Sequence, residues 1–362
     1  MKIAIIGSRG IPARYGGWEI CAEKLSIWLV EKGLDVTVYA IDDPALKEVA
    51  IPVKRVFIKA FKSTVLEKLS LSTKSILHAV FKCKPDVVLL LGLTGAHLIW
   101  LLKLFGIKVI LNTDGLECRR DKYYALGRTL SKALEFVGIK QADEVVADSE
   151  AIGRYLYRTY RRKAIYIPYG AEVPKDFEKE WKSVKRAFGV EKGSYYIIVG
   201  RYVPENNFQE MIDGYLESGS QHKLVVVADK LPSYYLNNER LVYKGPIYER
   251  NRLFALRKNA AAYFHGHSVG GTNPSLLEAI AASNPIFAYD VPFNREVLGE
   301  WGLYFNTSDG LSLLIRKYEM GTVGLDVAEM RAFYKRVLEV KYNWNKVCEA
   351  YRSLISEMCR GL

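Results

Sequence analysis

Three loops in this 362-residue chain combine glycines, a fixed charge and the start of a helical pattern, the ingredients of an anion site. The first is Gly7-Ser8-Arg9-Gly10-Ile11-Pro12-Ala13-Arg14-Tyr15-Gly16-Gly17, which follows an apolar run. Glycines let backbone N–H groups approach an anion closely, and a helix N-terminus adds partial positive charge. Gly16 and Gly17 lie immediately before the helix and are the expected contact points. A dinucleotide fingerprint, G-x-G-x-x-G, would need glycine at Arg9, yet Asp42 ends the second strand where a ribose-binding acid would sit. A plain glycine-rich turn is the other reading of this loop.

The second loop, Gly200-Arg201-Tyr202-Val203-Pro204-Glu205-Asn206-Asn207, puts an arginine just past a strand, where its five-donor fork can meet a diphosphate. A surface ion pair is the alternative for Arg201. The third runs from His265 through Gly270, Gly271 and Thr272 to Asn273, Pro274 and Ser275. Asn273 reads as an N-cap and Pro274 as the first helical residue, so the Thr272–Ser275 N–H groups form a second anion site. Glu278, one turn into that helix, is placed to accept hydrogen bonds from ribose hydroxyls. Phe293-Asn294-Arg295 opens the next helix. His265 and His267 stand two apart with no third ligand nearby, which argues against a metal. Together these features describe a site for a nucleoside diphosphate.

The elements that must position them alternate strand and helix. Strands are expected over 2–6, 35–40, 52–58, 86–91, 108–112, 144–147 and 164–167. The pattern then restarts with strands over 195–200, 222–228, 241–243, 262–264 and 285–289. Several are continuously apolar, Val87-Val88-Leu89-Leu90-Leu91 for example, as in parallel strands covered on both faces. Helices are expected over 18–32, 208–218, 249–258, 274–282 and through the tail, 326–358. Residues 173–194, charged and weakly periodic, read as a linker. The fold class is α/β with two Rossmann-like, doubly wound domains: residues 1–172 with 341–362 packing back, and residues 173–340.

Hydrophobic residues make up 49% and charged residues 25%, which excludes disordered and fibrous classes. The net charge of +12 is uneven, with +10 in residues 1–170 and +2 in the rest. Residues 59–84 concentrate it: Lys59, Lys62, Lys68, Lys74, Lys82 and Lys84 oppose Glu67 alone, interleaved with Leu66, Leu69, Leu71, Ile76, Leu77, Val80 and Phe81. An apolar stripe with a cationic flank fits docking on anionic lipid, or a core helix with a solvated lysine face. No nucleic-acid partner is expected, because no aromatic-basic alternation or recognised fold supports one. The five scattered cysteines, Cys21, Cys83, Cys118, Cys348 and Cys359, read as reduced thiols of a cytoplasmic protein. The longest apolar run, 87–102, is interrupted by Gly92, Thr94, Gly95 and His97, and is too short to span a membrane.

The first loop continued to Trp18-Glu19, Asn112-Thr113-Asp114-Gly115-Leu116-Glu117, Ile167-Pro168-Tyr169-Gly170-Ala171-Glu172, Gly200–Asn207 and Gly270–Ala279 together resemble glycosyltransferase family 4, retaining enzymes of the GT-B fold. The likeness is to the rhamnosyltransferase-like branch of bacterial polysaccharide synthesis. It implies two domains facing a cleft and a nucleotide-sugar-dependent hexosyltransferase. The transfer it implies is of L-rhamnose from dTDP-rhamnose to a lipid-linked saccharide, at the inner face of the cell membrane. UDP-galactose or UDP-N-acetylglucosamine as donor, or a catalytically silent nucleotide-binding subunit, are the alternatives. No cofactor is implied and no metal is required, since the chain has no D-x-D triplet. Catalytic roles fall to Arg201, stabilising the leaving diphosphate, and to Asp114, which positions the sugar or acceptor hydroxyl or serves as general base. A helix cap is the structural alternative for Asp114. The substrate-binding set is Gly16, Gly17, Arg201, Asn206, Asn207, Gly271, Thr272, Asn273, Ser275 and Glu278. The chain departs from the family's pattern at Gly270, where a glutamate is usual, at Asn206, where a diphosphate-binding lysine is usual, and at Asp114, at or near the place of a histidine.

Overall fold

The alternating apolar runs condense into two parallel sheets, described by a computed structural model over residues 1–13, 16–61, 63–113 and 125–360. The chain divides into a first unit, residues 1–169 with 344–362, and a second unit, residues 170–343. Each break lies three residues from the 172/173 and 340/341 expected from the sequence.

In the first unit the order is β1 (Lys2–Ile6), α1 (Gly17–Glu31), β2 (Asp35–Ile41), α2 (Pro44–Lys47), β3 (Lys54–Ile58), α3 (Thr64–His78), β4 (Val87–Leu91), α4 (Ile99–Leu104), β5 (Lys108–Asn112), α5 (Ala125–Gln141), β6 (Glu144–Ala147), α6 (Glu150–Tyr160) and β7 (Ile165–Tyr166). The strands lie in the order β3-β2-β1-β4-β5-β6-β7. β1 pairs in parallel with β2 and with β4, Ile3 facing Val36 and Val87. β4 is buried at all five positions, which is why its sequence carries no alternation. Ile76, Ala79, Val80, Ile99, Leu102 and Ile139 cover one face of this sheet.

The second unit runs α7 (Phe177–Phe188), β8 (Tyr195–Val199), α8 (Phe208–Ser218), β9 (Lys223–Val227), α9 (Ser233–Leu236), β10 (Leu241–Tyr243), α10 (Arg250–Lys258), β11 (Ala262–His265), α11 (Pro274–Ala282), β12 (Ile286–Tyr289), α12 (Pro292–Leu298), β13 (Leu303–Phe305), α13 (Ser308–Glu319) and α14 (Val327–Val340). Its strand order, β10-β9-β8-β11-β12-β13, repeats the doubly wound pattern of the first sheet. In each unit the order reverses beside the first strand, between β1 and β4 and between β8 and β11. Such a switch point opens a crevice at the strands' carboxyl ends.

One expectation is corrected. Residues 173–194 are not a linker: α7 occupies them, with Phe177, Trp181, Val184 and Phe188 at helical spacing and Val184 and Phe188 buried. Its dense charges lie on the remaining face and mask the stripe in a linear reading. The tail is helical as expected and comprises two helices. α14 packs on α11 in the second unit, and α15 (Trp344–Cys359) packs on α1 in the first, through buried Val347, Tyr351, Leu354 and Ile355.

Candidate functional site

The carboxyl ends of β8 and β11 carry two loops that lock together. Residues 200–207 leave β8, form a short turn at Pro204–Asn206 and end with Asn207 in the left-handed conformation, φ 47°, at the start of α8. Residues 266–273 leave β11 beside them. The Ser268 N–H and hydroxyl both donate to the Glu205 carbonyl, at 2.9 and 3.1 Å. Asn207 Nδ2 donates to the Gly266 carbonyl at 2.7 Å. Asn206 Nδ2 donates to the Arg201 carbonyl at 2.9 Å, and its Oδ1 meets His267 Nδ1 at 2.8 Å. Gly266 is required here: a Cβ would stand 2.2 Å from the Asn206 carbonyl oxygen. Asn294, fully buried at the start of α12, ties the second loop down by donating to the carbonyls of His267 and Tyr289.

From this frame Arg201 projects into solvent, with no ion pair or side-chain hydrogen bond to any described residue. Asp229 holds the backbone beside it by accepting from the Tyr202 N–H at 2.8 Å. α11 starts where the sequence places it. Asn273 is the N-cap, Pro274 is the first helical residue, and Asn273 Oδ1 accepts from the Ser275 N–H at 2.8 Å. That bond withdraws the Ser275 N–H from the expected anion site. The Ser275 hydroxyl is also committed, to Tyr263 Oη at 2.8 Å and Arg257 Nη2 at 3.1 Å. Gly271 and Thr272 are buried at the mouth of the helix. The structure thus brings together Arg201, Gly271, Thr272, Asn273 and Glu278 as ligand-facing candidates. It turns the side chains of Asn206 and Asn207 to holding the loops and that of Ser275 to Tyr263 of β11 and Arg257 of α10.

Arg257 was not legible as part of this site. It lies on α10, is 2% exposed, and donates from Nη1 to Glu278 Oε2 at 2.8 Å. Its signal was a cation three residues after Phe254, on the inward face of a helix. His265 and His267 have ring centroids 6.2 Å apart. Burial drives the His265 imidazole well below its usual range, with like charge from His267 and Arg257 adding to the effect. Arg295 is engaged with Asp290, which the guanidinium holds below the usual carboxylate range.

In the first unit, Gly7 and Gly10 serve packing. A Cβ on Gly7 would fall 2.0 Å from the Leu91 carbonyl oxygen, and one on Gly10 2.3 Å from the Ala40 Cβ. Two carboxylates of α1 take N–H groups of this loop: Glu19 accepts from Arg9 at 2.9 Å, and Glu23 accepts from Ala13. Burial raises the Glu19 carboxyl, partly offset by the hydrogen bond from Arg9. Gly16, φ 99°, and Gly17 form the start of α1, and the Arg9 guanidinium pairs with Glu67 at 2.9 Å. The Asp42 carboxylate is paired with Lys47. β5 ends in buried Asn112, with buried Thr113 next, and Asn112 Nδ2 donates to Tyr351 Oη of α15 at 2.7 Å. Asp114 follows, and lies outside the described residues, as does Lys62.

Residues 15–173 match the model of Glycosyltransferase Family 4. The chain is 23% identical over 264 residues to the UDP-N-acetylglucosamine–peptide N-acetylglucosaminyltransferase GtfA subunit of Streptococcus parasanguinis, a match covering 68% of this chain and 50% of that protein. The chain thus spans about half the length of this curated relative. Among solved structures it is similar to sucrose-phosphate synthase from Thermosynechococcus elongatus, with a TM-score of 0.79, 16% identity and 100% of both chains covered. It is also similar to Anabaena Alr3699/HepE in complex with UDP-glucose, with a TM-score of 0.75, 13% identity and 100% of both chains covered. A glycosyltransferase from Rickettsia africae gives a TM-score of 0.72 at 14% identity, covering 99% of this chain and 98% of that one. The fold is GT-B, built from two Rossmann-like units, as the motifs implied.

Proposed function

We propose that this protein is a retaining glycosyltransferase that takes a sugar from a nucleoside diphosphate, with L-rhamnose from dTDP-rhamnose as the donor and a lipid-linked saccharide as the acceptor. The observation that carries the reading is the interlocked loop pair at the second switch point, with Arg201 held outward and unpaired beside the α11 N-terminus and Glu278. Breaking a sugar–phosphate bond leaves negative charge on the departing diphosphate. Arg201 and the N–H groups around Gly271–Asn273 stabilise that charge as it develops, and Glu278 accepts from the ribose. The leaving phosphate accepts the acceptor's proton on the same face, so no protein nucleophile is needed. Asp114 orients the sugar or acceptor hydroxyl. The site works without a metal, its charge being met by arginine and backbone N–H groups.

The donor assignment comes from the motif resemblance. A uridine nucleotide sugar is the second reading, favoured by the UDP-glucose complex of Anabaena Alr3699/HepE and by the name of the Streptococcus parasanguinis relative. A panel of UDP, dTDP, ADP and GDP and their sugars, read by thermal shift and then by product formation, decides. Stabilisation and turnover with dTDP-rhamnose support the first reading, and turnover with a UDP-sugar alone moves the assignment to the second. Nucleotide binding with no product from any donor and acceptor would leave a silent nucleotide-binding subunit.

The acceptor reading places the first unit on an anionic membrane. No helix among the described residues is long and apolar enough to cross one. α3 turns Ile76, Ala79 and Val80 of its continuation into the core but exposes Leu66, Leu77 and Phe81. Phe81 meets Phe105 edge-on, ring centroids 5.5 Å apart, and Phe105 directly follows α4, which carries Trp100 and Leu104. Phe81, Trp100, Leu104 and Phe105 are all at least half exposed, exposed Lys82 and Lys84 follow Phe81 in the chain, and exposed Lys74 lies over the Phe61 ring, 4.9 Å from its centroid. An apolar surface flanked by lysines matches a bilayer interface in both its chemistries.

A further inference from the structure

We infer that Arg257 is the positioning residue of the nucleotide site, clamping one oxygen of Glu278 so that the other meets the ribose; this rests on the nucleotide reading given above. Ser275 and Glu278 are three apart on α11 and share a face. The Arg257 guanidinium straddles them, with Nη1 on Glu278 Oε2 at 2.8 Å and Nη2 on Ser275 Oγ at 3.1 Å. It lies over the Tyr263 ring, 5.5 Å from its centroid. Tyr263 Oη bonds Ser275 Oγ at 2.8 Å and the Val199 carbonyl at 3.3 Å. Val199 is the last residue of β8, two before Arg201. One buried cation therefore fixes the carboxylate of α11 in register with the strand end from which Arg201 emerges.

Stability alone does not call for this arrangement. A buried ion pair is often no more stabilising than apolar side chains of the same volume, and Arg257 Nε is buried with no partner among the described residues. The pair is also asymmetric, with Arg257 2% exposed and Glu278 33% exposed. Glu278 Oε1 has no partner among the described residues, so half of the carboxylate is committed inward and half is available outward. The arginine also offsets a negative charge that would otherwise repel an incoming diphosphate.

The test is titration of the full chain with two pairs of probes: UDP against 2′,3′-dideoxyuridine diphosphate, and dTDP against 2′,3′-dideoxythymidine diphosphate. The wild type should prefer the hydroxyl-bearing member of its cognate pair by about 10-fold or more, the worth of a hydrogen bond to a carboxylate. Glu278→Gln should lose most of that preference. Arg257→Met should lose it to a similar extent, and the double variant should be no worse than either single one, because the two residues act as a unit. If Arg257→Met does not fold, Arg257→Lys is read by the same criterion: a point charge cannot hold Glu278 and Ser275 together, so the preference should fall at least about three-fold. Retained preference in a folded Arg257 variant overturns the inference while leaving the nucleotide site intact. So does an equal loss of affinity for both members of a pair, which marks a merely structural role. No preference in the wild type, or full preference in Glu278→Gln, would instead remove the ribose role of Glu278 and the inference with it.

Discussion

Arg201 and Glu278 each sit a fixed distance from an element end: one follows a strand and a glycine, the other lies one turn past an N-cap. Arg201 is exposed and unpaired, so its charge is available to a ligand. Removing a charge-assisted donor from a developing oxyanion costs roughly 2.7–4 kcal/mol of transition-state stabilisation. Arg201→Ala should therefore lower turnover about 100-fold or more with an unchanged thermal midpoint, and near wild-type turnover would cancel its role. The polar residues between these two were harder to read. Asn206, Asn207 and Ser275 have the right chemistry for a ligand, but their side chains bond to other groups of the protein, and those partners are 5 to 61 residues away. Arg257 was missed for the same reason: its partner Glu278 is 21 residues on, a separation with no periodic signature.

Elements were legible where a single period dominated. The buried strands and the capped start of α11 fell where expected, because apolar runs and Asn-Pro caps are local signals. α7 was lost because its polar face outweighs a narrow stripe, and β13 and α13 were not foreseen. The loop pair is the element on which the proposed site depends, and it offers two tests. Gly266→Ala forces a Cβ against the Asn206 carbonyl oxygen and within 2.7 Å of Met211 Cε. Overpacking of this kind costs about 1–3 kcal/mol, and here the strain separates the two loops that carry Arg201 and Gly271. Chemical denaturation should show that loss together with weakened nucleotide binding, whereas unchanged binding would mean the interlock is not what shapes the site. Asn273→Ala removes only the cap of α11 and should cost about 1 kcal/mol, typically 0.5–2. Since the freed Ser275 N–H then becomes an additional donor at the helix mouth, diphosphate affinity should fall less than in Gly266→Ala, a ranking that the same titrations measure.

At the scale of the whole molecule the sequence carried the charge asymmetry but not the apolar surface that accompanies it. Leu71, Ile76 and Val80 of the 59–84 stripe are buried whereas Leu66, Leu77 and Phe81 are exposed, and Phe81 is joined by Phe105 just past α4, a contact no linear pattern reveals. The two components of this surface predict different responses to salt. Attraction of lysines to anionic lipid is worth about 1 kcal/mol per residue near the surface, and it weakens as the Debye length contracts from ~10 Å at 0.1 M to ~3 Å at 1 M. Burial of an exposed phenylalanine is worth roughly 1.5–3 kcal/mol and is not screened. The protein should therefore co-sediment with vesicles containing anionic lipid, bind neutral vesicles far less, and be mostly but not wholly released by high salt. Changing Lys74, Lys82 and Lys84 together to Glu should abolish the salt-sensitive part. Changing Phe81 and Phe105 to Ser should remove the residue that survives salt. Both sets should leave nucleotide affinity at the wild-type value, because the loops of β8 and β11 belong to the other unit. Equal binding to neutral and anionic vesicles would remove the lysines from the account, and no binding to either would leave α3 as a core helix with a solvated lysine face.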